Sequence, residues 1–184
     1  MGNTHIDGVT PGDVVRLKGL DLPPAARFHY FQNGDVRLRA MIATPPLNPS
    51  ERREARGSII FSPGRTEFIE KYFEMAEDLI TRGFVVMIVD PRGQGLSARI
   101  PDAPMTSFIE DFELYCEDFA LAAKVFENDL PRPHIVMGHS MGGTIGLQTI
   151  LTGRLNPAAC VFSAPMLELQ DLDKAVMTHM IKFL

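Results

Sequence analysis

The fold is decided by His134-Ile135-Val136-Met137-Gly138-His139-Ser140-Met141-Gly142-Gly143-Thr144-Ile145-Gly146. A short apolar run leads into a Gly-x-Ser-x-Gly pattern and then into small residues, which predicts a strand, a sharp turn and a helix in that order. Only small neighbours fit beside a serine at the apex of such a turn, so Gly138 and Gly142 have a steric reason to be glycine. The stretch therefore predicts a strand-turn-helix unit with Ser140 exposed at its apex.

Ser140 is the candidate nucleophile of this turn. Because the predicted helix begins directly after it, free backbone N–H groups and the positive end of the helix dipole point at the oxygen charge that develops when a serine attacks a carbonyl. Two alternatives compete with this interpretation. The pattern is short enough to occur by chance in a loop, and a phosphate-binding loop also contains glycines, but it would need a Gly-Lys-Ser/Thr ending that is absent here.

Composition narrows the class of protein. The 184 residues are of single-domain size, and a hydrophobic content of 45% is ample for one core. The net charge of -5 and the pI near 5.5 argue against a nucleic-acid partner. The five histidines show no paired ligand spacing, so we assign no metal and no cofactor. Cys116 and Cys160 fall within apparent helix and strand patterns, and we expect both to be buried thiols.

The expected location is cytoplasmic. The sequence opens without a charged and then apolar leader, and no apolar run approaches the length needed to cross a bilayer. Peripheral contact with a membrane stays open.

An antiparallel hairpin is predicted in the first quarter of the chain. Two β-prone segments, residues 27–32 and 35–44, flank Asn33-Gly34, which is a strong signal for a hairpin turn. The preceding residues 1–25 are rich in glycine and proline, so we expect at most one short strand there.

Strands and helices alternate in the next part of the chain. Residues 45–57 contain three prolines and mixed charge and predict a surface connection. The apolar run at residues 57–62 predicts a strand buried on both faces of a parallel sheet. A helical pattern then runs from Glu67 to a capping glycine at Gly83, and residues 84–89 predict the next buried strand. This order implies a right-handed parallel crossover.

The glycine-rich residues 90–97 predict a loop that leaves the second buried strand. We interpret the loop as turn-forming and structural. A direct catalytic role for Asp90 or Ser97 is the alternative.

A long amphipathic helix is predicted before the Ser140 turn. Ser107 and Glu110 have the spacing of a capping box, and aromatic residues follow at helical spacing as far as Phe126. A helix that crosses back over a parallel sheet must bury one face, so we assign this aromatic stripe to the core. After the turn, residues 158–163 predict a further strand, and residues 166–184 predict the beginning of a helical segment.

Three motifs occur in register along the chain. They are Phe61-Ser62-Pro63-Gly64-Arg65-Thr66-Glu67, Asp90-Pro91-Arg92-Gly93-Gln94-Gly95-Leu96-Ser97 and Gly138-His139-Ser140-Met141-Gly142-Gly143. Together they resemble the lysophospholipase and monoacylglycerol-lipase branch of the α/β-hydrolases, and their order and spacing cover most of residues 27–166. The resemblance implies a sheet with a nucleophile elbow at its centre, an oxyanion hole, and a helical cap inserted after the strand that ends near Ser163.

The predicted fold class is therefore the N-terminal part of an α/β-hydrolase fold. We expect a mostly parallel sheet with an N-terminal antiparallel hairpin and flanking helices, without the late strands of the fold. Residues 1–165 are expected to form an incomplete core, and residues 166–184 the start of the cap.

The resemblance also implies the two oxyanion donors. One is the backbone N–H just after the nucleophile, which is that of Met141. The other lies in the loop after the strand that ends at Ser62, and alignment of the loops assigns it to the backbone N–H of Arg65. Pro63 stands where the family commonly has histidine, whereas Glu67 matches a glutamate common in the family.

The general base is not expected within this chain. In this fold the acid and the histidine follow the serine along the chain, and the residues of these types after Ser140 are Glu168, Asp171, Asp173 and His179. The family places its acid and histidine after later strands, beyond the cap, so we assign neither Asp171 nor His179 to the triad. His139 is not assigned as the base, because the turn directs its side chain elsewhere. We expect the chain to be the N-terminal part of a longer hydrolase, with little or no turnover by itself.

The expected function of the complete protein is hydrolysis of a lipid-like carboxylic ester through an acyl-enzyme on Ser140. A serine peptidase of the same fold is an alternative, because one architecture supports both chemistries. A non-catalytic interaction protein, or a remnant that kept the turn, is the other alternative. A dehalogenase would need an acidic nucleophile at position 140, which makes that interpretation poor.

Overall fold

The computed structural model describes residues 8–46, 54–99 and 109–167. Within these residues one sheet contains seven strands in the order β1-β2-β3-β5-β4-β6-β7. The strands are β1 Thr10–Pro11, β2 Arg27–Asn33, β3 Val36–Ala43, β4 Ser58–Ser62, β5 Val85–Asp90, β6 His134–His139 and β7 Ala159–Ser163. The α-helices are α1 Phe73–Thr81, α2 Glu113–Val125 and α3 Met141–Leu151, with short 3-10 segments at Ile69–Tyr72 and Glu127–Asp129.

The sheet has a parallel part and an antiparallel part. Strands β5, β4, β6 and β7 pair in parallel, while β1, β2 and β3 form an antiparallel unit that joins the edge of β5. Every residue of β4 and β5 is buried, as their uninterrupted apolar sequences predict. The predicted fold class is therefore confirmed. No helix in the described ranges is long and apolar enough to span a bilayer.

Helices cover both faces of the sheet. On one face, Phe119 of α2, Phe126 directly after α2 and Ile145 of α3 pack into a buried cluster with Val85, Met87 and Val89. On the other face, α1 packs on Val86 and Ile88. Successive residues of β5 thus enter opposite clusters, as the period of a strand requires. The aromatic stripe of α2 lies in the core, which confirms that prediction.

The hairpin is confirmed, but its loop lies one residue later than the Asn-Gly signal suggests. Asn33 pairs with Val36 as the last rung of β2 and β3, so Gly34 and Asp35 form the loop. Gly34 has a φ of 57°, a left-handed value that glycine adopts without a steric penalty. The short strand expected in the first 25 residues is Thr10–Pro11, which pairs with β2.

Two helices begin later than the sequence patterns predict. The segment after Glu67 starts as a 3-10 turn, and α1 begins only at Phe73. The helix α2 begins at Glu113, so Glu110 is not in its first turn, and Ser107 lies outside the described residues. The side chain of Asp111 accepts the N–H of Glu113 at 2.9 Å in place of the predicted capping box.

The prediction of two buried thiols is confirmed for Cys116 and wrong for Cys160. Cys116 on α2 is buried, and burial raises the pKa of its thiol to about 11. Cys160 on β7 is exposed. The reason is the position of β7, which is an edge strand of the described sheet. Four of its five residues, including Cys160, are exposed. Residues 168–184, and with them most of the expected cap, lie outside the described residues.

Candidate active site

A strained turn joins β6 to α3 at Ser140. The strand ends at His139, the helix begins at Met141, and Ser140 between them has φ 52° and ψ -121°. A non-glycine residue at such a φ costs about 1–3 kcal/mol and persists only where the surroundings hold it. Serine commonly caps a helix with its hydroxyl, but the Ser140 side chain makes no capping hydrogen bond to α3. The half-buried hydroxyl is therefore not committed to its own helix.

Close backbone approach explains the glycines of the turn. A Cβ on Gly138 would lie 2.4 Å from the carbonyl oxygen of Gly142, and a Cβ on Gly142 would lie 2.0 Å from that of Ser62. Neither contact can be relieved by a side-chain rotation, because both partners are backbone atoms. The structure thus confirms the steric reason that the sequence pattern suggested.

Main-chain hydrogen bonds hold Ser140 from the β7 side. Its N–H donates to the carbonyl oxygen of Ser163 at 3.0 Å, and its own carbonyl accepts the N–H groups of Met166 and Gly143, each at 3.0 Å. The Thr144 hydroxyl donates to the carbonyl oxygen of Met166 at 2.6 Å. The end of β7 and the segment that follows it therefore hold the peptide groups on both sides of the nucleophile candidate.

The loop after β4, residues 63–67, lies against the same turn. A Cβ on Gly64 would be 3.3 Å from Cβ of Ser140. Arg65 is the next residue, and its side chain is exposed to solvent. In the described part of the chain, no acceptor is bonded to the backbone N–H of Arg65 or of Met141. The two N–H groups assigned to the oxyanion hole thus belong to segments that flank Ser140, and neither is bonded to an acceptor among the described residues.

Glu67 braces this loop. Its carboxylate accepts the N–H of Gly64 at 2.7 Å, the ammonium of Lys71 at 2.6 Å and the hydroxyl of Tyr72. Burial by itself would raise the pKa of Glu67, but these three hydrogen bonds outweigh it and hold the pKa below its usual value. Because Gly64 N–H is committed to Glu67, it is not available to a substrate.

Asp90 belongs to a buried ionic cluster. Nε of Arg39 donates to Oδ2 of Asp90 at 2.8 Å, and the other two nitrogens of the guanidinium donate to the carboxylate of Glu70 at 2.8 and 2.7 Å. All three side chains are fully buried. Burial raises the pKa of Asp90 to about 6, against the opposing effect of Arg39 and of the backbone N–H groups of Leu96 and Ile69.

The backbone around Asp90 is tied to this cluster. The Asp90 carboxylate accepts the N–H groups of Leu96 and Ile69, each at 2.9 Å. The Ser97 hydroxyl donates to the carbonyl of Asp90 at 2.7 Å and accepts the N–H of Arg39 at 2.9 Å. These contacts account for both polar side chains and agree with the structural interpretation of the loop. Sequence reasoning missed Arg39 and Glu70, and no local pattern pairs them.

The acidic residues and the histidine that follow Ser140 in the sequence are not among the described residues. Glu168, Asp171, Asp173 and His179 lie outside the described ranges. His139 is the last residue of β6, beside Ser140 in the chain. Its neighbour across the sheet is Ser163 of β7.

A separate cleft lies far from the turn along β6. It has a volume of about 490 Å³ and is lined by residues that include Arg132, His134 and Arg154. His134 begins β6, whereas Ser140 follows its carboxyl end. Ligands of open α/β sheets bind at the carboxyl ends of the strands, so the geometry favours the turn as the candidate active site.

The parallel strands, the crossover helices and the turn at Ser140 define an α/β-hydrolase core. The sequence pattern of the serine aminopeptidase S33 family matches residues 53–184, and the chain belongs to this family.

Relatives and solved structures support the assignment. The chain is 37% identical over 112 residues to lysophospholipase L2 of Escherichia coli, covering 59% of this chain and 32% of that protein. It is 30% identical over 155 residues to monoacylglycerol lipase of Mycolicibacterium smegmatis, covering 82% of this chain and 50% of the relative. Among solved structures, a thermostable carboxyl esterase from Bacillus coagulans matches with a TM-score of 0.62 and 26% identity, over 75% of this chain and 44% of that one. The chain thus spans half or less of the length of these proteins.

Proposed function

We propose that Ser140 is the nucleophile of a serine hydrolase that cleaves a carboxylic ester of a lipid-like substrate through an acyl-enzyme. The observation that carries the proposal is the strained turn, in which the Ser140 hydroxyl makes no capping hydrogen bond to its own helix and the loop that contains Arg65 lies against Ser140. In the first step the hydroxyl oxygen would attack the ester carbonyl, and the backbone N–H groups of Arg65 and Met141 would stabilise the oxyanion. Collapse of the tetrahedral intermediate would break the ester C–O bond and expel the alcohol, which takes up the proton lost by the Ser140 hydroxyl, and would leave the acyl group on the serine. Water would then attack the acyl-enzyme, release the acid and return a proton to the serine.

The lipid-like substrate is the finer part of the proposal. It is supported by the likeness to lysophospholipase L2 and monoacylglycerol lipase, which are named for such esters. A cytoplasmic location, with or without contact with a membrane surface, belongs to the same proposal. A serine peptidase is the second candidate, because the matched family is described as a serine aminopeptidase family.

The proposal also concerns the acid and the histidine that would activate Ser140. We infer that residues 1–165 form an incomplete core, that residues 166–184 begin a cap, and that the complete protein supplies the acid and histidine beyond it. The 184-residue chain by itself then has little or no turnover, because a serine without its base is not activated. Hydrolysis of a p-nitrophenyl ester by this chain that disappears with Ser140→Ala would contradict this inference.

The nucleophile is tested in the complete protein. Ser140→Ala should abolish both hydrolysis of p-nitrophenyl butyrate and labelling by a fluorophosphonate probe, while Ser163→Ala, at an exposed serine on the neighbouring strand, should change neither. Parallel assays with a monoacylglycerol, a lysophospholipid and an aminoacyl p-nitroanilide separate ester from peptide substrates. A wild-type protein that neither turns over nor labels would favour the non-catalytic alternative.

The Arg65 donor is tested by a pair of variants at one position. Arg65→Ala keeps the backbone N–H and should retain activity, whereas Arg65→Pro deletes that N–H. Loss of one oxyanion donor costs about 3 kcal/mol of transition-state stabilisation. Full activity in a folded Arg65→Pro variant would contradict the assignment.

A further inference from the structure

Gln94 connects the two loops beside the candidate site. It lies in the loop that follows β5, and only 2% of it is exposed. Its side-chain oxygen accepts the N–H of Thr66, and its side-chain nitrogen donates to the carbonyl oxygen of Gly64 at 3.2 Å. One amide group therefore binds the peptide groups on both sides of Arg65.

These peptide groups need such a partner. Thr66 has a φ of 63°, a left-handed value that is costly for a β-branched residue. On the other side, the N–H of Gly64 is held by Glu67, and the carbonyl of Gly64 also accepts the N–H of Glu67 at 3.3 Å. The Arg65 N–H and the Gly64 carbonyl belong to one planar peptide group, so the hydrogen bond from Gln94 to that carbonyl also sets the direction of the N–H.

The loop that carries Gln94 is itself firmly held. The Asp90 carboxylate accepts Leu96 N–H, and the guanidinium of Arg92 donates twice to Asp118 of α2, at 2.6 Å each. The backbone N–H of Gln94 donates to the carbonyl of Pro91 at 3.0 Å. Gln94 is therefore a fixed point from which the neighbouring loop can be oriented.

We propose that Gln94 is a positioning residue that sets the direction of the Arg65 N–H and thereby the turnover rate of Ser140. The inference rests on the proposed function and adds a residue that does not touch the substrate. Glutamine suits the task because its neutral amide offers one acceptor and one donor at the same time. Glutamate at this position would keep the acceptor for Thr66 but lose the donor for Gly64.

The experiment uses the complete protein with p-nitrophenyl butyrate as substrate. Gln94→Met keeps the shape of the side chain and removes both hydrogen bonds, and we expect kcat to fall about 100-fold, the effect of a displacement near 1 Å. KM should stay within about twofold, because the lost interaction acts only in the transition state. Gln148→Met is the matched control, since this half-buried glutamine of α3 donates to Glu113 and not to the loop.

A second readout separates positioning from a general loss of structure. Affinity for an alkyl trifluoromethyl ketone, which forms a tetrahedral oxyanion on serine, should fall with kcat in Gln94→Met and stay unchanged in Gln148→Met. Gln94→Glu should have an intermediate effect, and it serves as the test if the methionine variant does not fold. In the 184-residue chain, where no turnover is needed, Gln94→Met should speed hydrogen exchange of the Thr66 amide, whereas Gln94→Glu, which keeps the acceptor for this N–H, should not.

The outcomes distinguish the two proposals. If Ser140→Ala abolishes activity while both Gln94 variants keep kcat within about threefold, the role of Gln94 is wrong and the proposed function stands. A fall in kcat that leaves inhibitor affinity unchanged also overturns it. If Ser140→Ala retains activity, the proposed function itself fails.

Discussion

The two halves of the candidate site are held by different kinds of interaction. Ser140 is fixed by main-chain hydrogen bonds to Ser163 and Met166 and by glycines that allow backbones to touch. The Arg65 N–H is fixed through side chains, those of Glu67 and Gln94. On the Ser140 side there is no space for a Cβ at the glycines, whereas the Arg65 side depends on polar groups that other side chains could supply. Variants on the two sides should therefore fail in different ways.

The largest effect is expected on the Ser140 side. Gly142→Ala should lower the free energy of unfolding by more than about 4 kcal/mol, because its Cβ would lie 2.0 Å from a backbone oxygen of β4. Gly153→Ala is the matched control: Gly153 has a φ of 73° but no atom near its Cβ position. It should cost only about 1–2 kcal/mol of backbone strain. Urea denaturation of the chain measures both, and equal losses would contradict a steric requirement for glycine at position 142.

The next effect concerns the buried ionic cluster of Arg39, Glu70 and Asp90, which lies beneath the loops on the Arg65 side. Arg39→Met leaves Glu70 and Asp90 buried without their cation and should cost about 3 kcal/mol, the lower end of the range for a broken buried pair because methionine fills the space. Arg27→Met removes an exposed pair with Asp129 and should cost less than about 1 kcal/mol. The same urea experiment compares them. A small loss of unfolding free energy in Arg39→Met would mean that Glu70 and Asp90 can be protonated, and so become neutral, at little cost.

The same contrast explains what could be predicted from the sequence. The turn at Ser140 was predictable because glycine spacing, strand and helix are all local features. The hairpin and the buried strands β4 and β5 were predictable for the same reason. The start of α2 was not, since Asp111 competes with the apparent capping box.

Non-local contacts set the limit. The cluster of Arg39, Glu70 and Asp90 joins residues up to 51 positions apart, and Gln94 reaches Thr66 across 28 positions. Nothing in the local sequence around any of these residues names its partner. The exposed Cys160 was mispredicted because the sequence pattern gives a strand but not its place at the edge of the sheet.

A smaller effect on the Arg65 side depends on pH. Glu67→Gln should cost about 1 kcal/mol at pH 7, since the amide cannot replace the charge that faces Lys71. The pKa of Glu67 is lowered in the folded chain, so its stabilisation is present above its usual pKa of 4.5 and is lost as pH falls through the folded value. The difference between wild type and variant should therefore shrink in acid.

Denaturation at a series of pH values measures this difference. Glu74→Gln, at an exposed position of α1, is the control and should change stability by less than about 0.5 kcal/mol at every pH. A difference for Glu67→Gln that persists unchanged at low pH would mean that packing, not charge, holds the loop.

The smallest effect on stability is expected at β7, the strand that positions Ser140 through Ser163. Val161 is 53% exposed, and within the described residues β7 pairs only with β6. An apolar edge strand can pair with another copy. Val161→Lys should therefore change the free energy of unfolding by less than about 0.5 kcal/mol yet reduce self-association of the 184-residue chain, followed by sedimentation velocity.

Leu151→Lys removes a similarly exposed apolar side chain, 58% exposed at the end of α3, without touching the strand edge. Equal reduction by both variants would assign the association to general hydrophobicity, and a wild-type chain that is monomeric and cooperatively folded would contradict an association-prone edge. Since Ser140 depends on this strand through backbone bonds alone, a lysine that leaves Ser163 in place should not disturb the turn.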